Sequence, residues 1–203
     1  GEGRWIRADE AAGLQLPPTI HALVAARLDR IGADERGVVD PASVIGLRFA
    51  EPALAELVDP ALGPDLEHTL ERLAGRRLVR RAPSSVGAAP GTAGTDYRFQ
   101  HQVIRDVAYE GILKRRRVAL HERFVAWADR VNADRDRARE FEEILGYHLE
   151  QAYRLRRELA PLDAAGVDVG RDAARRLASA GARAFERGDM HAAANLLRRA
   201  ADV

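Results

Sequence analysis

Two hundred and three residues suit one ordinary domain or two small ones. The 32 basic and 31 acidic side chains leave a formal charge of +1, which supplies no field that would demand nucleic acid or an acidic membrane. With 46% hydrophobic and 31% charged residues the chain reads as well cored, and the absence of cysteine excludes disulfides, a thiol nucleophile and sulfur-ligated zinc.

Residues 1–15 read as a connector, and Gly1-Glu2-Gly3-Arg4-Trp5 lacks the apolar run of a secretory signal. No later run reaches the about 18–20 apolar residues of a membrane span, so a cytoplasmic location is expected. Leu16-Pro17-Pro18-Thr19 is a stiff start to a helix whose stripe is Ile20, Leu23, Val24, Leu28 and Ile31, with Gly32 closing it. Asp34 is placed to cap the next helix, over residues 35–45, where Pro41 predicts a kink or a split. A short helix follows over residues 52–58. A clearer one opens at Asp65 with Leu66, Leu70 and Leu73 inward and stops near Gly75.

Residues 77–80 and 97–100 alternate as strands, and the Gly, Pro and Ser-rich stretch 83–95 between them is a loop. Three or four short helices followed by two strands and a long loop is the order of a winged helix, with the loop as wing. Beyond it the stripes Val103, Ile104, Val107, Ala108, Ile112, then Leu120, Phe124, Trp127, Val131, then Phe141, Ile144, Leu145, Leu149, Ala152 predict successive helices. Residues 161–170 read as a linker. Two last helices are split by Arg187-Gly188-Asp189, and their small slots Leu177, Ala180, Gly181, Ala184, Ala193, Leu197 and Ala200 fit a tetratricopeptide unit of about 34 residues. The expected fold class is mainly α: a winged-helix module with a two-stranded β-hairpin (residues 16–102), a helical connector (103–160), the linker, and a truncated tetratricopeptide-like hairpin (171–203). About 65% helix and under about 10% strand are expected, against a usual helical share near one third.

The chemistry is sparse. No glycine-rich loop is followed by Lys and Ser or Thr, and no serine sits in a nucleophile elbow. His148-Leu149-Glu150 resembles the start of a deaminase signature without its cysteines. The histidines at 21, 68, 101, 121, 148 and 191 offer no i, i+4 pair with a supporting carboxylate, so no metal site is expected. No catalytic residue is assigned. In the helix from Asp65, acids lead and Arg72, Arg76 and Arg77 trail, which argues against phosphate contact through its N-terminal end. The one dense basic run, Lys114-Arg115-Arg116-Arg117, reads as a solvated helix C-terminus. Specific DNA binding is therefore not expected. Leu196, Leu197 and Ala200 predict an unpaired apolar face and weak self-association at the C-terminal end.

The segment YRFQHQVIRDVAYEGIL (residues 97–113) resembles the end of the winged-helix module in bacterial signal-transduction ATPases of the STAND class, those linked to adenylyl/guanylyl cyclase or LuxR-type output domains. LPPTIHALVAARLDRI (16–31), ASVIGLRF (42–49), YHLEQAYRLRREL (147–159) and AGARAFERGDMHAAANLLRRA (180–200) agree in the same order. The resemblance implies an internal fragment: winged helix, connector and first repeat, without its own cofactor. The parent would bind ATP or ADP. Implied partners are the parent's own nucleotide-binding domain, further repeats, and a protein or small-molecule inducer acting through them. It also implies that His101, directly after the Tyr-x-Phe strand, contacts the β-phosphate of ADP. On the residues alone His101 equally suits a helix-start or core position. The alternative from another class is an independent winged-helix transcription regulator with a helical dimerisation tail.

Overall fold

Apolar stripes at helical spacing set most of the architecture. The computed structural model describes residues 18–83, 95–133 and 141–203, so the connector 1–15 and nearly all of the expected wing lie outside the described residues. Of the described residues 77% are helical, more than the stripes predicted. The order is α1 (Pro18–Leu28), α2 (Ala33–Ile45), β1 (Arg48–Ala50), α3 (Glu51–Leu57), a 3-10 turn (Pro60–Asp65), α4 (Leu66–Gly75), β2 (Val79–Ala82) and β3 (Asp96–Phe99). Then come α5 (Gln102–Glu110), α6 (Lys114–Asn132), α7 (Glu142–Leu159), α8 (Ala164–Glu186) and α9 (Met190–Ala201). No helix among the described residues is long and apolar enough to cross a membrane.

The sheet has three antiparallel strands in the order β1-β3-β2, not the two of the expected hairpin. The added strand is only three residues long, too short to display alternation in sequence. It gains its place by pairing, with Phe49 opposite Tyr97 and Arg48 opposite Arg98. β2 lies two residues later than expected because Arg77 belongs to the end of α4. Arg77 adopts φ 55°. Its N–H donates to Ala74 O (2.8 Å) and the Leu78 N–H to Leu73 O (3.0 Å), the paired bonds of a Schellman cap that glycine usually occupies.

Pro41 does not split α2. Every residue from 38 to 44 is buried, which holds the helix together through the missing N–H bond. The N-cap of α2 is Gly32, whose N–H donates to Glu35 Oε2 at 2.9 Å, so Glu35 rather than Asp34 supplies the capping carboxylate. The stretch read as a linker, residues 161–170, is helical from Ala164 onward. Asp163 caps that helix by accepting from the Gly166 N–H at 2.8 Å. Gly170 then lies against the Tyr153 ring, where a Cβ would sit 2.7 Å from Cε2. That glycine marks close helix packing, not a break.

One core holds Leu28, Val38, Leu54, Leu70, Tyr97, Phe99 and Ile104 between the sheet and α1–α5. A second holds Val44, Leu57, Leu120, Phe124, Trp127 and Leu145 among α2, α3, α6 and α7. A third, smaller one joins α8 to α9 through Leu177, Ala180, Ala184, Ala193 and Leu196. Leu196 is therefore inside, not on the unpaired face. Leu197, Phe185 and Met190 remain exposed at that end.

A left-handed arginine costs on the order of 1 kcal/mol relative to glycine. Replacement Arg77→Gly should raise unfolding free energy by about 0.5–1 kcal/mol, and Arg77→Val should lower it by at least about 1 kcal/mol. Urea unfolding of the three proteins measures this. An unchanged midpoint in both variants would mean the α4 cap lacks that backbone strain.

Candidate functional site

His101 follows β3 and forms the N-cap of α5 in extended backbone (φ −140°, ψ 147°). Its carbonyl accepts from the Ile104 N–H at 3.1 Å. The imidazole is exposed and makes no capping bond. Phe99, two residues earlier, is fully buried against Phe49 with ring centroids 5.6 Å apart. Strand alternation would have turned His101 toward Phe99's side; the change to helix there puts it in solvent instead.

Three other polar side chains come together deep in the molecule. Tyr109 of α5, His121 of α6 and His148 of α7 form a chain of hydrogen bonds. Tyr109 Oη lies 2.9 Å from His121 Nε2, and His121 Nδ1 lies 2.9 Å from His148 Nδ1. Exposure is 0% for His121 and 1% for His148, and the Phe124 ring lies tilted at 37° to the His148 ring with centroids 4.3 Å apart.

Two facing Nδ1 atoms hold one proton between them, so one donates and the other accepts. Whichever tautomer is present, Tyr109 completes the chain as donor or acceptor. Burial removes water from both rings and pushes the His121 pKa down to about 3, with Arg105 and Arg117 adding positive field. Burial likewise holds His148 well below its ordinary value, helped by His121 and Arg105. The same two guanidinium groups lie over the Tyr109 ring, 4.8 and 4.9 Å from its centroid. Both imidazoles are therefore neutral. Among the described residues no carboxylate hydrogen-bonds to the chain, and its bonds pin three helices together.

Sequence spacing could not have paired residues 27 positions apart. One signal was available: His121 and His148 each interrupt an apolar stripe, between Leu120 and Phe124 and between Leu145 and Leu149. Among the described residues no group of three or more His, Cys, Asp or Glu side chains could hold a metal ion.

The surface charges are mostly engaged. On α4, Glu67 and Glu71 face Arg81 of β2 at 3.3 and 4.0 Å. Arg76 is turned to the buried Glu35 at 2.8 Å, with Arg72 at 3.9 Å. Burial would raise the Glu35 pKa, but the Gly32 N–H and these arginines hold it below the ordinary value. The basic run Lys114-Arg115-Arg116-Arg117 opens α6 rather than ending a helix. Bases at a positive dipole end are unfavourable, and neighbours compensate. Lys114 meets Glu158 at 2.8 Å and Arg116 meets the buried Asp40 at 3.5 Å. No protein-family model, no curated protein and no solved structure matches this chain.

The histidine chain makes stability depend on pH with a defined sign. In the unfolded chain each imidazole protonates near pH 6.5, whereas in the fold both stay neutral to far lower pH. The unfolded state then binds more protons, so stability is full above about pH 6.5 and falls between there and about pH 3. From pH 7 to pH 5 the expected loss is about 2 kcal/mol for each imidazole. Urea unfolding at the two pH values measures it, and the His121→Gln/His148→Gln protein should be less stable at pH 7 but lose most of the slope. Equal stability of the parent chain at both pH values would contradict the burial of neutral imidazoles.

Proposed function

We propose that this chain is a non-catalytic regulatory segment of a cytoplasmic multidomain signal-transduction ATPase of the STAND class. In this reading it couples the nucleotide state of an upstream ATPase domain to a downstream helical-repeat sensor. The observation that carries the proposal is the order α2-β1-α3-α4-β2-β3 with strands arranged β1-β3-β2. That order is the one a winged helix would have, which supports the reading, and these elements are followed by the stacked helices α6 to α9. The exposed Phe185, Met190 and Leu197 support further helical units, or an inducer-sensing partner, against α9.

The alternative, an independent DNA-binding regulator, is disfavoured by α4. A helix that reads DNA presents free bases to phosphates. Here Arg76 is turned to Glu35, with Arg72 beside it, and the outward Glu67 and Glu71 keep a carboxylate face. Fluorescence anisotropy with random and GC-rich duplexes at about 50 mM salt should give no submicromolar binding. Tight, salt-steep binding would favour the alternative.

His101 is where the regulatory reading meets nucleotide. An exposed imidazole without a partner in the described residues is free to donate to a phosphate oxygen of a neighbouring domain's ADP. A charge-assisted bond of about 1.5–3 kcal/mol corresponds to a factor of about ten to a hundred in the closed-to-open equilibrium. The isolated chain should have no measurable ATP or ADP affinity. In the intact ATPase, His101→Ala should speed ADP release and raise basal output by up to that factor. An unchanged ADP off-rate and unchanged output would leave His101 a helix-start residue without ligand.

A further inference from the structure

Where α6 begins and α7 ends, the turn into α8 encloses a cleft of about 370 Å³. That lies at the small end of the range for organic ligands. Its walls are Val118 and Ala119 from α6, Leu159 from the end of α7, and Pro161 and Leu162 from the turn. Leu159 is 41% exposed there, an apolar surface left open to solvent.

The walls are held in place. Leu162 lies in the turn just before α8, where a Cβ on Gly166 would come within 2.9 Å of its Cδ2. Asp163, the next residue, caps the helix. Across the floor, Arg156 binds Glu122 through two bonds of 2.7 and 3.1 Å. The two acids at the cleft are thus engaged, Glu122 by Arg156 and Asp163 by the Gly166 N–H. The remaining charge is Arg115, which lines the cleft and has no ion pair or hydrogen bond among the described residues. A second cavity of about 250 Å³, beside α1, α2 and α5, differs in this respect. Its two basic groups are already matched, His21 to Glu110 at 2.8 Å and Arg36 to Asp40 at 2.9 Å, and the charge left over is the acid Asp29.

An apolar cleft with one free guanidinium and satisfied acids selects for an anion with an apolar body. A cation would have to compete with Arg156, which faces Glu122 at 2.7 Å and Asp163 at 4.0 Å, and a large polar solute would forfeit hydration against Val118, Leu159 and Leu162. The planar guanidinium fork fits a carboxylate in a two-bond arrangement. We propose that this cleft binds a small organic carboxylate with a compact apolar body, its carboxylate paired to Arg115. Binding here is independent of DNA and nucleotide, so it stands or falls apart from the regulatory reading.

The test is an amide NMR titration of the 203-residue chain with 4-phenylbutyrate, and in parallel with its neutral analogue 4-phenylbutanamide. The acid should give saturable shifts at Val118, Ala119, Leu159 and Leu162, with millimolar or tighter affinity. The amide should bind at least about tenfold more weakly. Arg115→Gln should remove that tenfold preference, and Ala119→Trp should abolish binding of both by filling the cleft. Leu162→Trp serves the same purpose from the turn should Ala119→Trp fail to fold. Absence of saturable shifts at these residues would overturn the proposal. So would equal affinity for acid and amide, an acid preference that survives Arg115→Gln, or full binding in the filled-cleft variant.

Discussion

Two imidazole nitrogens 2.9 Å apart in a dry interior constrain the helices that carry them more tightly than apolar packing does. Leucines tolerate small sliding, since one methyl contact replaces another. A buried ring nitrogen has no such substitute. Were α7 to slip by one turn along α6, the Nδ1 pair would separate and each unmatched group would cost about 1–3 kcal/mol. Tyr109 extends the constraint to α5, so the last helix of the sheet-bearing half and the first two helices of the stack share one hydrogen-bond chain. The Nδ1–Nδ1 bond is lost once both rings carry a proton on Nδ1, and burial disfavours charge on either ring.

The buried carboxylates follow a related pattern. Glu35 is shared by Arg76 and Arg72, Asp40 by Arg36 and Arg116, and Glu150 by Arg154 and Arg199. In each case one acid reaches two guanidinium groups, and in each case at least one arginine comes from another helix. Glu150, 1% exposed, ties α7 to α9 across the stack. Asp40 stands apart, because burial raises its pKa in spite of Arg36 and Arg116. Exposed pairs such as Arg81–Glu67 contribute little to stability by comparison. Their effect is on the surface, where they leave α4 without a continuous positive face.

The stripes legible in sequence were those with repeated apolar spacing. Leu66, Leu70 and Leu73 are buried on α4 as the spacing predicted, and so are Leu120, Phe124 and Trp127 on α6. What escaped was whatever depends on partners distant in sequence. β1 exists because β3 is beside it, and three residues carry no period. The onset of α8 lay inside the stretch read as a linker, where Gly166 and Gly170 each accommodate a neighbouring side chain. The histidine pair was invisible to a search for i, i+4 ligands, because its members sit on different helices. The basic run was assigned the wrong helix end, since the favourable dipole rule is overridden here by Glu158 and Asp40.

The two larger cores are not independent, and that bears on how a signal would cross the molecule. α2 turns Val38, Val39 and Ala42 into the sheet-side core but Val44 into the helical one. α3 divides in the same way, with Leu54 on one side and Ala53 and Leu57 on the other. The seam is also crossed by polar contacts: Arg105 Nε donates to Ser43 O at 2.7 Å, and Arg130 meets Glu56 at 2.8 Å. Interiors packed at crystal density do not absorb a displacement locally. A shift of α3 against the sheet would therefore either be blocked or move α6 with it. In the proposed regulatory role, the N-terminal half and the stack would respond as one body, and the movable joints would lie at its outer faces, where His101 and the α9 end are exposed.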